Sequence, residues 1–280
     1  MIFFNSKIFK YVSGTVKLIV SIPLFIVIIL LFYFYFFSTT DQRLNLYSDP
    51  QGSYFSIFML DHLFKNNLDD YKIVWESSVA FNKRGEHEEG MKRLNIATSL
   101  APIEKLGYSG WIKQTRLKDY ENALKDYHHL NKLSKVVEYP WGENVYYLMA
   151  TAHQGLNNYD SANFYYEKYY LSEKKSVNIY PRAYTFQGVN KSNQKNYNEA
   201  LILFNKTIST DKNIGEAYYY KAETLVKINQ LDSAKLNYLK SLDLVNRNYK
   251  DRDPYNEKFL EIYKTEIEEK LNNLDKKFQN

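Results

Sequence analysis

One short stretch of the sequence combines the side-chain types that bind divalent metals. Glu86, His87, Glu88 and Glu89 follow one another, so an imidazole is flanked by carboxylates. Both groups are common metal ligands. The spacing of helical zinc sites, with two histidines four residues apart and a glutamate between them, is missing. Because Gly85 and Glu86 mark a predicted turn between two helices, we interpret the cluster as a solvated turn.

The other histidines do not form a ligand set. They are His62, His128, His129 and His153. His128 and His129 are adjacent, so on a helix their side chains point about 100° apart and do not share an ion. Cysteine is absent, which excludes disulfides, thiolate metal sites and thiol nucleophiles. We predict that His153 is a packed core residue and that the protein has no metal and no cofactor.

The sequence also lacks the motifs of common enzyme active sites. The phosphate loops G-x-x-x-x-G-K-[ST] and G-x-G-x-x-G and the nucleophile elbow G-x-S-x-G do not occur. Carboxylates are numerous but scattered, and no pattern pairs two of them for acid–base chemistry. We therefore predict that the protein is not an enzyme.

The charge distribution argues against nucleic acid as a partner. The net charge is +5, from 37 basic and 32 acidic side chains. Lys7, Lys10 and Lys17 account for three of the basic residues, and residues 1–40 contain no acidic one. Subtracting those three leaves 34 basic against 32 acidic residues in the rest of the chain, a net charge of +2. A nearly neutral body has no basic surface for a phosphate backbone.

The elements that would position any binding residues are repeated along the chain. A four-residue mark, Tyr or Leu followed at the fourth position by Ala, occurs three times and is followed four residues later by an aromatic ring. The alanines are Ala162, Ala200 and Ala234, and the rings are Tyr166, Phe204 and Tyr238. Aromatic clusters begin thirteen residues before each mark, at Tyr146, near Tyr184 and at Tyr218. A period of about 34 residues indicates a solenoid of short helix pairs.

This pattern resembles the tetratricopeptide repeat family, whose unit is a pair of antiparallel helices, A and B. The family's large residue early in helix A matches Tyr146, Tyr184 and Tyr218, and its small residue four places later matches Ala150, Gly188 and Ala222. The resemblance implies an all-α fold, an α-solenoid of about five repeats over residues 71–248. The uncharged residues 18–37 add the expectation of one transmembrane helix before it.

Two earlier copies match less well. In residues 75–102, Gly90 replaces the helix B alanine. In residues 104–137, Ala123 and Tyr127 fit helix B. Counting back from them places Gly107 where the family has a large residue and Trp111 where it has a small one. We therefore expect different packing in that copy.

The resemblance also implies a ligand-binding inner face on helix A. Its equivalent positions carry Trp75, Tyr108, Tyr147 and Tyr219, with Thr185 in the remaining copy. The lysine and asparagine that bind chaperone C-terminal tails are missing. The four rings suit an extended or helical peptide, because aromatic side chains give large contact area at low entropy cost. In that case they lie on one concave surface and are partly exposed; the alternative is that they only pack between repeats.

The segment before the repeats predicts a membrane anchor. Residues 18–37 form twenty positions without a charge, enough to span a hydrocarbon core of roughly 30 Å. A cleaved signal peptide is the alternative, but the run is long and no A-x-A-like site follows it. The lysines before this run predict a cytoplasmic N-terminus, residues 1–17, and extracytoplasmic or periplasmic repeats at the inner membrane.

Both flanks of the repeat region are expected to cover its ends. Within residues 38–70, we predict a turn-containing linker over 41–52. After it, Phe55, Phe58 and Leu63 belong to a short apolar stripe, which is either an N-terminal capping helix or a helix on the membrane surface. In residues 249–280, apolar spacings of three and four predict a capping helix over 255–278, with Asp253 as N-cap and Pro254 in the first turn.

Together these features predict a membrane-tethered scaffold that binds a partner protein or peptide through its groove. Two alternatives stay open. One is a structural accessory subunit of an envelope enzyme or secretion complex, and the other is a receptor of the mitochondrial-import type that faces the cytosol.

Overall fold

The computed structural model describes residues 22–30, 32–34, 36–173, 179–253 and 257–279. Within these ranges the regular structure is α-helical apart from one 3-10 helix, Pro140–Gly142, which confirms the all-α prediction for this part of the chain. The α-helices are α1 Thr40–Ser48, α2 Tyr54–Asn66, α3 Tyr71–Lys83, α4 His87–Leu100, α5 Pro102–Thr115, α6 Tyr120–Leu133, α7 Val145–Gly155, α8 Tyr159–Glu173, α9 Arg182–Asn193, α10 Tyr197–Thr210, α11 Gly215–Lys227, α12 Leu231–Asn246 and α13 Lys264–Gln279. The chain divides into two compact units, Met1–Gly90 and Met91–Asn280, and the boundary falls inside α4.

The first unit contains a helix that the sequence reasoning missed. Residues 41–52 were expected to be a linker, but α1 occupies most of that stretch and the turn begins only at Asp49. A capping box starts α1, because the Thr39 side chain accepts from the Gln42 amide at 3.2 Å while the Gln42 side chain accepts from the Thr39 amide at 2.9 Å. The linker prediction is therefore wrong for residues 41–48.

Helices α1, α2 and α3 pack together around a small core. It consists of Leu44, Tyr47, Leu60, Leu63, Ile73 and Ala80, with Phe34 packed against it. The stripe predicted on α2 is only partly buried. Leu63 belongs to this core, whereas Phe55 and Phe58 are exposed.

Residues 22–30, 32–34 and 36–37 are helical, and their large apolar side chains are mostly exposed. The exposed fractions run from 48% at Val27 to 69% at Phe37. In the part of the chain that the structure describes, no helix is both long and apolar enough to cross a membrane. Residues 1–17 and, within the predicted span, residues 18–21, Leu31 and Tyr35 lie outside the described residues.

The second unit consists of helix pairs in sequence order. The pairs are α5 with α6, α7 with α8, α9 with α10 and α11 with α12. We call the first member of each pair an A helix and the second a B helix. Each A helix also contacts the next A helix, so α5, α7, α9 and α11 form one continuous layer.

Small side chains permit close contact within each pair, as the repeat pattern predicted. Ala162, Ala200 and Ala234 are fully buried, which confirms that prediction. On α9, a Cβ added to Gly188 would lie 2.7 Å from Cε1 of Phe204 on α10. Non-bonded carbon atoms do not approach this closely, so the ring requires a residue without a side chain at this point.

The second copy of the repeat has a different register from the one expected. A Cβ on Gly110, not on Trp111, would collide with the B-helix ring, at 2.5 Å from Cε1 of Tyr127. The cause is loop length, because four residues separate α5 from α6 whereas three separate the helices of each later pair. Lys118 in the longer loop has a left-handed φ of 54°. Gly110 is therefore equivalent to Ala150 and Gly188.

A buried ladder of hydrogen bonds links successive pairs. On its first rung the Tyr127 hydroxyl donates to Gln114 Oε1 at 2.9 Å, and Gln114 Nε2 donates to the Leu148 carbonyl of the next A helix at 3.2 Å. On the second rung Tyr166 donates to Gln154 Oε1 at 2.7 Å, and Gln154 Nε2 donates to the Phe186 carbonyl. These bonds satisfy polar groups that would otherwise be buried without partners.

The C-terminal helix begins later than predicted. It was expected over residues 255–278, but α13 starts at Lys264. Leu260 has a left-handed φ of 54°, which no α-helix accommodates. Asp253 lies outside the helices of the described chain, and Pro254 lies outside the described residues. From Ile267 onward the predicted stripe packs on the pair α11 and α12, so the capping contact is present.

Candidate functional site

The repeat pattern predicts a binding surface on the A-helix layer, where three of the candidate rings lie. Tyr147 on α7 is buried, with 7% of its surface exposed. Its ring lies 5.8 Å from that of Tyr180 and 6.3 Å from that of Phe186, measured between centroids. Burial raises the pKa of its hydroxyl well above the ordinary value. The expectation of a partly exposed ring is wrong for Tyr147.

Tyr219 on α11 is also buried, with 2% exposed. Its ring packs edge-on against Tyr220 and Tyr238, and its hydroxyl donates to Glu266 of α13. Burial and that hydrogen bond raise its pKa. The C-terminal helix therefore covers this end of the layer, and the ring is not partly exposed as predicted.

Tyr108 on α5 is not equivalent to Tyr147, because of the longer loop after α5. It is 7% exposed and belongs to an aromatic cluster with Trp111 and Trp141. The residue at the position of Tyr147 is Gly107, against which Pro140 packs closely. Counting residues back from helix B missed this, since the count assumed a three-residue loop.

Trp75 lies on α3 in the first compact unit and is half-buried. Ligand binding by Trp75, Tyr108, Tyr147 and Tyr219 stays a prediction. Thr185, which takes the equivalent place on α9, is fully buried, and its hydroxyl donates to Thr207 on α10 at 3.0 Å.

The main finding at this surface is a segment of the same chain that lies on it. Residues 257–263 contain no helix and precede α13. Phe259 packs edge-on against Phe186 of α9, with ring centroids 5.5 Å apart. Leu260 packs against the cores of two neighbouring pairs, and Ile262 is fully buried. We call residues 257–262 the groove segment.

Sequence reasoning missed the groove segment because it was assigned to the C-terminal helix. One signal pointed to it. Ile262 is apolar, yet on a helix continuing from α13 it would lie opposite the stripe of Ile267, Leu271 and Leu274. A buried isoleucine on the polar side of a predicted helix indicates that the helix has not yet begun.

Acidic and basic groups surround the cavity between the segment and the A-helix layer. Its lining includes Trp111, Glu143, Thr151, Asp251 and Phe259. The Trp111 indole donates to Glu143 Oε2 at 3.0 Å, and burial raises the pKa of the Glu143 carboxyl above its ordinary value. The Tyr180 hydroxyl donates to Asp251 at 3.0 Å. Both carboxylates that accept these bonds therefore have a hydrogen-bond donor from a neighbouring aromatic side chain.

Of the cluster at residues 86–89, only Glu86 lies in the turn, because His87, Glu88 and Glu89 form the start of α4, so the interpretation of the whole cluster as a turn is wrong. Arg84 Nε lies 2.7 Å from Glu86, and His87 Nδ1 lies 3.3 Å from the Asn82 side-chain oxygen. Across the described part of the chain, no three histidine or carboxylate side chains are placed to hold a metal ion.

Solved structures of other proteins contain the same arrangement of paired helices. MamA 41-end from Desulfovibrio magneticus RS-1 is similar with a TM-score of 0.54 and 17% identity, over 63% of this chain and 96% of that one. YrrB, described as a TPR protein with an unusual peptide-binding site, gives a TM-score of 0.50 and 15% identity, over 66% and 91%. The fold is that of a tetratricopeptide-repeat solenoid.

Another protein with this fold is PilW, described as a widely conserved type IV pilus biogenesis factor. The TM-score is 0.55 at 11% identity, covering 66% of this chain and 82% of that one. No protein-family model matches the sequence, and neither does a curated relative. Sequence identities this low show that these proteins share the tetratricopeptide-repeat fold with this chain, and they carry no information about its ligand.

Proposed function

We propose that this protein is a membrane-tethered scaffold that binds a partner protein or peptide through its A-helix layer. The observation that supports this most is the groove segment itself, a non-helical stretch seated on α9 and α11. A surface that accommodates one such segment has the shape and the apolar contacts to accommodate another. Fold similarity to YrrB, a protein described as having a peptide-binding site, agrees with the proposal.

We also propose that residues 18–37 anchor the chain in the inner membrane, with the N-terminus cytoplasmic and the repeats outside the cytoplasm. Exposed apolar side chains along the helical residues 22–30, 32–34 and 36–37 support an apolar environment for them. Reporter fusions after residue 45 and the N-terminal sequence of the mature protein test this. A cytoplasmic reporter, or a mature chain that starts near Thr40, contradicts it.

The second candidate is a structural accessory subunit of an envelope enzyme or secretion complex. The burial of Tyr108, Tyr147 and Tyr219 and the filled A-helix layer favour it, because a surface already covered has no need of a ligand. Neither candidate includes catalysis, nucleic acid or a small-molecule cofactor.

Co-purification of the full chain from its own membranes in mild detergent distinguishes the two. A partner that dissociates on dilution and rebinds supports the scaffold. A fixed stoichiometric complex that survives dilution, and whose contacts avoid the A-helix layer, supports the subunit and contradicts our proposal.

A further inference from the structure

The groove segment contacts the A-helix layer mainly through apolar side chains. Phe259 packs with Tyr147 and Phe186 in one core cluster, and Leu260 bridges that cluster to Phe204 in the next one. Ile262 belongs to a third core cluster, which includes Tyr219 and Ala222 of α11. Three side chains within four residues of the segment therefore pack against three successive core clusters.

Its main chain is bound as well. Lys118 Nζ donates to the carbonyl of Glu257 at 2.9 Å, and the Tyr220 hydroxyl donates to the carbonyl of Leu260 at 3.1 Å. Main-chain hydrogen bonds combined with pockets for selected side chains are the usual way in which proteins recognise a linear peptide.

The backbone of the segment is strained at its centre. Leu260 has a φ of 54°, a region that residues with a branched side chain rarely adopt. Strain of this kind persists only where surrounding contacts impose it, and it is common at binding and switching sites. The contacts with the A-helix layer therefore impose this conformation, and release of the segment would relieve it.

We infer that the groove segment is a built-in competitor, and that the partner carries a linear sequence of the same chemistry. That sequence has an acidic residue followed two positions later by an aromatic and an aliphatic residue, as in Glu257, Phe259 and Leu260. The main-chain carbonyl of the acidic residue would accept from Lys118, as that of Glu257 does, and the two apolar side chains would take the places of Phe259 and Leu260. This inference rests on the proposed function, since it names the kind of partner that the A-helix layer binds.

Competition lowers the apparent affinity for the partner. A segment attached to the same chain has an effective concentration on the order of millimolar, so a free peptide must exceed that advantage to displace it. Weakening the segment should therefore strengthen binding of a peptide added in solution.

The test uses the full chain in detergent and a fluorescent synthetic peptide with the sequence of residues 250–263. Fluorescence anisotropy should show that the variant Phe259→Ala with Leu260→Ala binds the peptide at least tenfold more tightly than the native chain. Tyr220→Phe in that background should weaken binding several-fold. Phe164→Ala is the matched control, because this exposed ring on α8 contacts Tyr165 and Lys168 of its own helix. The control should bind the peptide with the affinity of the native chain.

A peptide with alanine in place of the phenylalanine and leucine should not bind. Equal affinity for native and doubly substituted chains, with unchanged circular dichroism, overturns the inference. The inference is also overturned if light scattering shows that the native chain is a dimer in which each copy's groove segment lies on the other copy.

Hydrogen exchange of the native chain gives a second measurement that needs no folded variant. Saturating peptide should remove the protection of residues 257–263 while α9 keeps its protection. Unchanged protection with peptide bound shows binding elsewhere and overturns the inference. If the peptide displaces the segment as predicted but no natural partner is recovered from membranes, the proposed function fails, whereas the finding that a peptide of this chemistry can displace the groove segment still holds.

Discussion

The hydrogen-bond ladder between Gln154, Tyr166 and Phe186 predicts a specific pattern of stability loss. Tyr166 is fully buried and Gln154 is 5% exposed, so neither side chain finds water as a substitute partner. The Gln154 amide accepts from the Tyr166 hydroxyl at 2.7 Å and donates to the Phe186 carbonyl at 3.0 Å. Removing one partner alone leaves a buried polar atom unsatisfied.

The magnitudes follow from those contacts. Gln154→Leu removes two hydrogen bonds and orphans the Tyr166 hydroxyl, which should lower the free energy of unfolding by about 3 kcal/mol. Tyr166→Phe orphans only the Gln154 oxygen and should cost about 1–2 kcal/mol. The double variant orphans neither, so it should cost less than the sum of the two by about 1–2 kcal/mol. In the next pair Phe204 and Ser192 hold the equivalent positions, and Ser192 accepts from the Thr224 hydroxyl at 2.9 Å instead of bonding a tyrosine.

Equilibrium unfolding of the full chain in urea, followed by circular dichroism, measures the three free energies. Tyr127→Phe is the matched control, because Tyr127 donates to Gln114 on another rung. Combined with Gln154→Leu, it should be additive to within about 0.5 kcal/mol. If the Gln154 and Tyr166 substitutions are also additive, the two side chains do not form the buried bond and the ladder is refuted.

Three further predictions concern single sites. Ala200→Leu should overpack the fully buried contact between α9 and α10 and lower the free energy of unfolding by about 1–3 kcal/mol, whereas exposed Ile202→Ala should change it little. Burial lowers the pKa of His153, and neighbouring His128 lowers it further by a smaller amount. The free energy of unfolding should therefore fall as pH decreases below about 6.5, and His153→Tyr should reduce that loss. Burial raises the pKa of the Glu143 carboxyl, so the stability that its protonated form contributes is lost as pH rises above about 4.5. Glu143→Gln should therefore be more stable than the native chain at pH 7.

Each of these has a clear contrary result. An unchanged thermal midpoint for Ala200→Leu would mean that the repeat register is wrong. Identical pH profiles for the native chain and His153→Tyr would show that this histidine does not titrate differently on folding. A less stable Glu143→Gln at pH 7 would indicate that the ionised carboxylate stabilises the fold through its bond to Trp111.

The parts of the fold that depend on close packing could be predicted from the sequence. Gly188 has no side chain because the Phe204 ring lies across the helix pair, and Ala200 is fully buried within the same pair, so residue size and spacing carry the information directly. The same reasoning failed at α5, since one extra loop residue shifts every position counted from α6. No side-chain pattern in the loop itself indicates that shift, which is visible only in the contact between Gly110 and Tyr127.

The candidate site was less predictable, because exposure depends on which other segment covers a surface. Tyr147 and Tyr219 have the types and positions of ligand-binding rings, but Phe259 and Glu266 come from the far end of the chain to contact their surroundings. Local periodicity gives no information about such long-range coverage. The missed helix α1 is different, since its capping box of Thr39 and Gln42 is readable in the sequence.

Photo-crosslinking in living cells tests the central claim most directly. A photoreactive amino acid at Thr115, which lines the cavity on the A-helix layer, is compared with one at Phe164, which is exposed on α8. We predict that Thr115 gives a crosslink to one partner protein, at a linear stretch with adjacent aromatic and aliphatic residues, and that Phe164 gives none. A partner crosslinked from Phe164 and not from Thr115 would contradict binding through the A-helix layer.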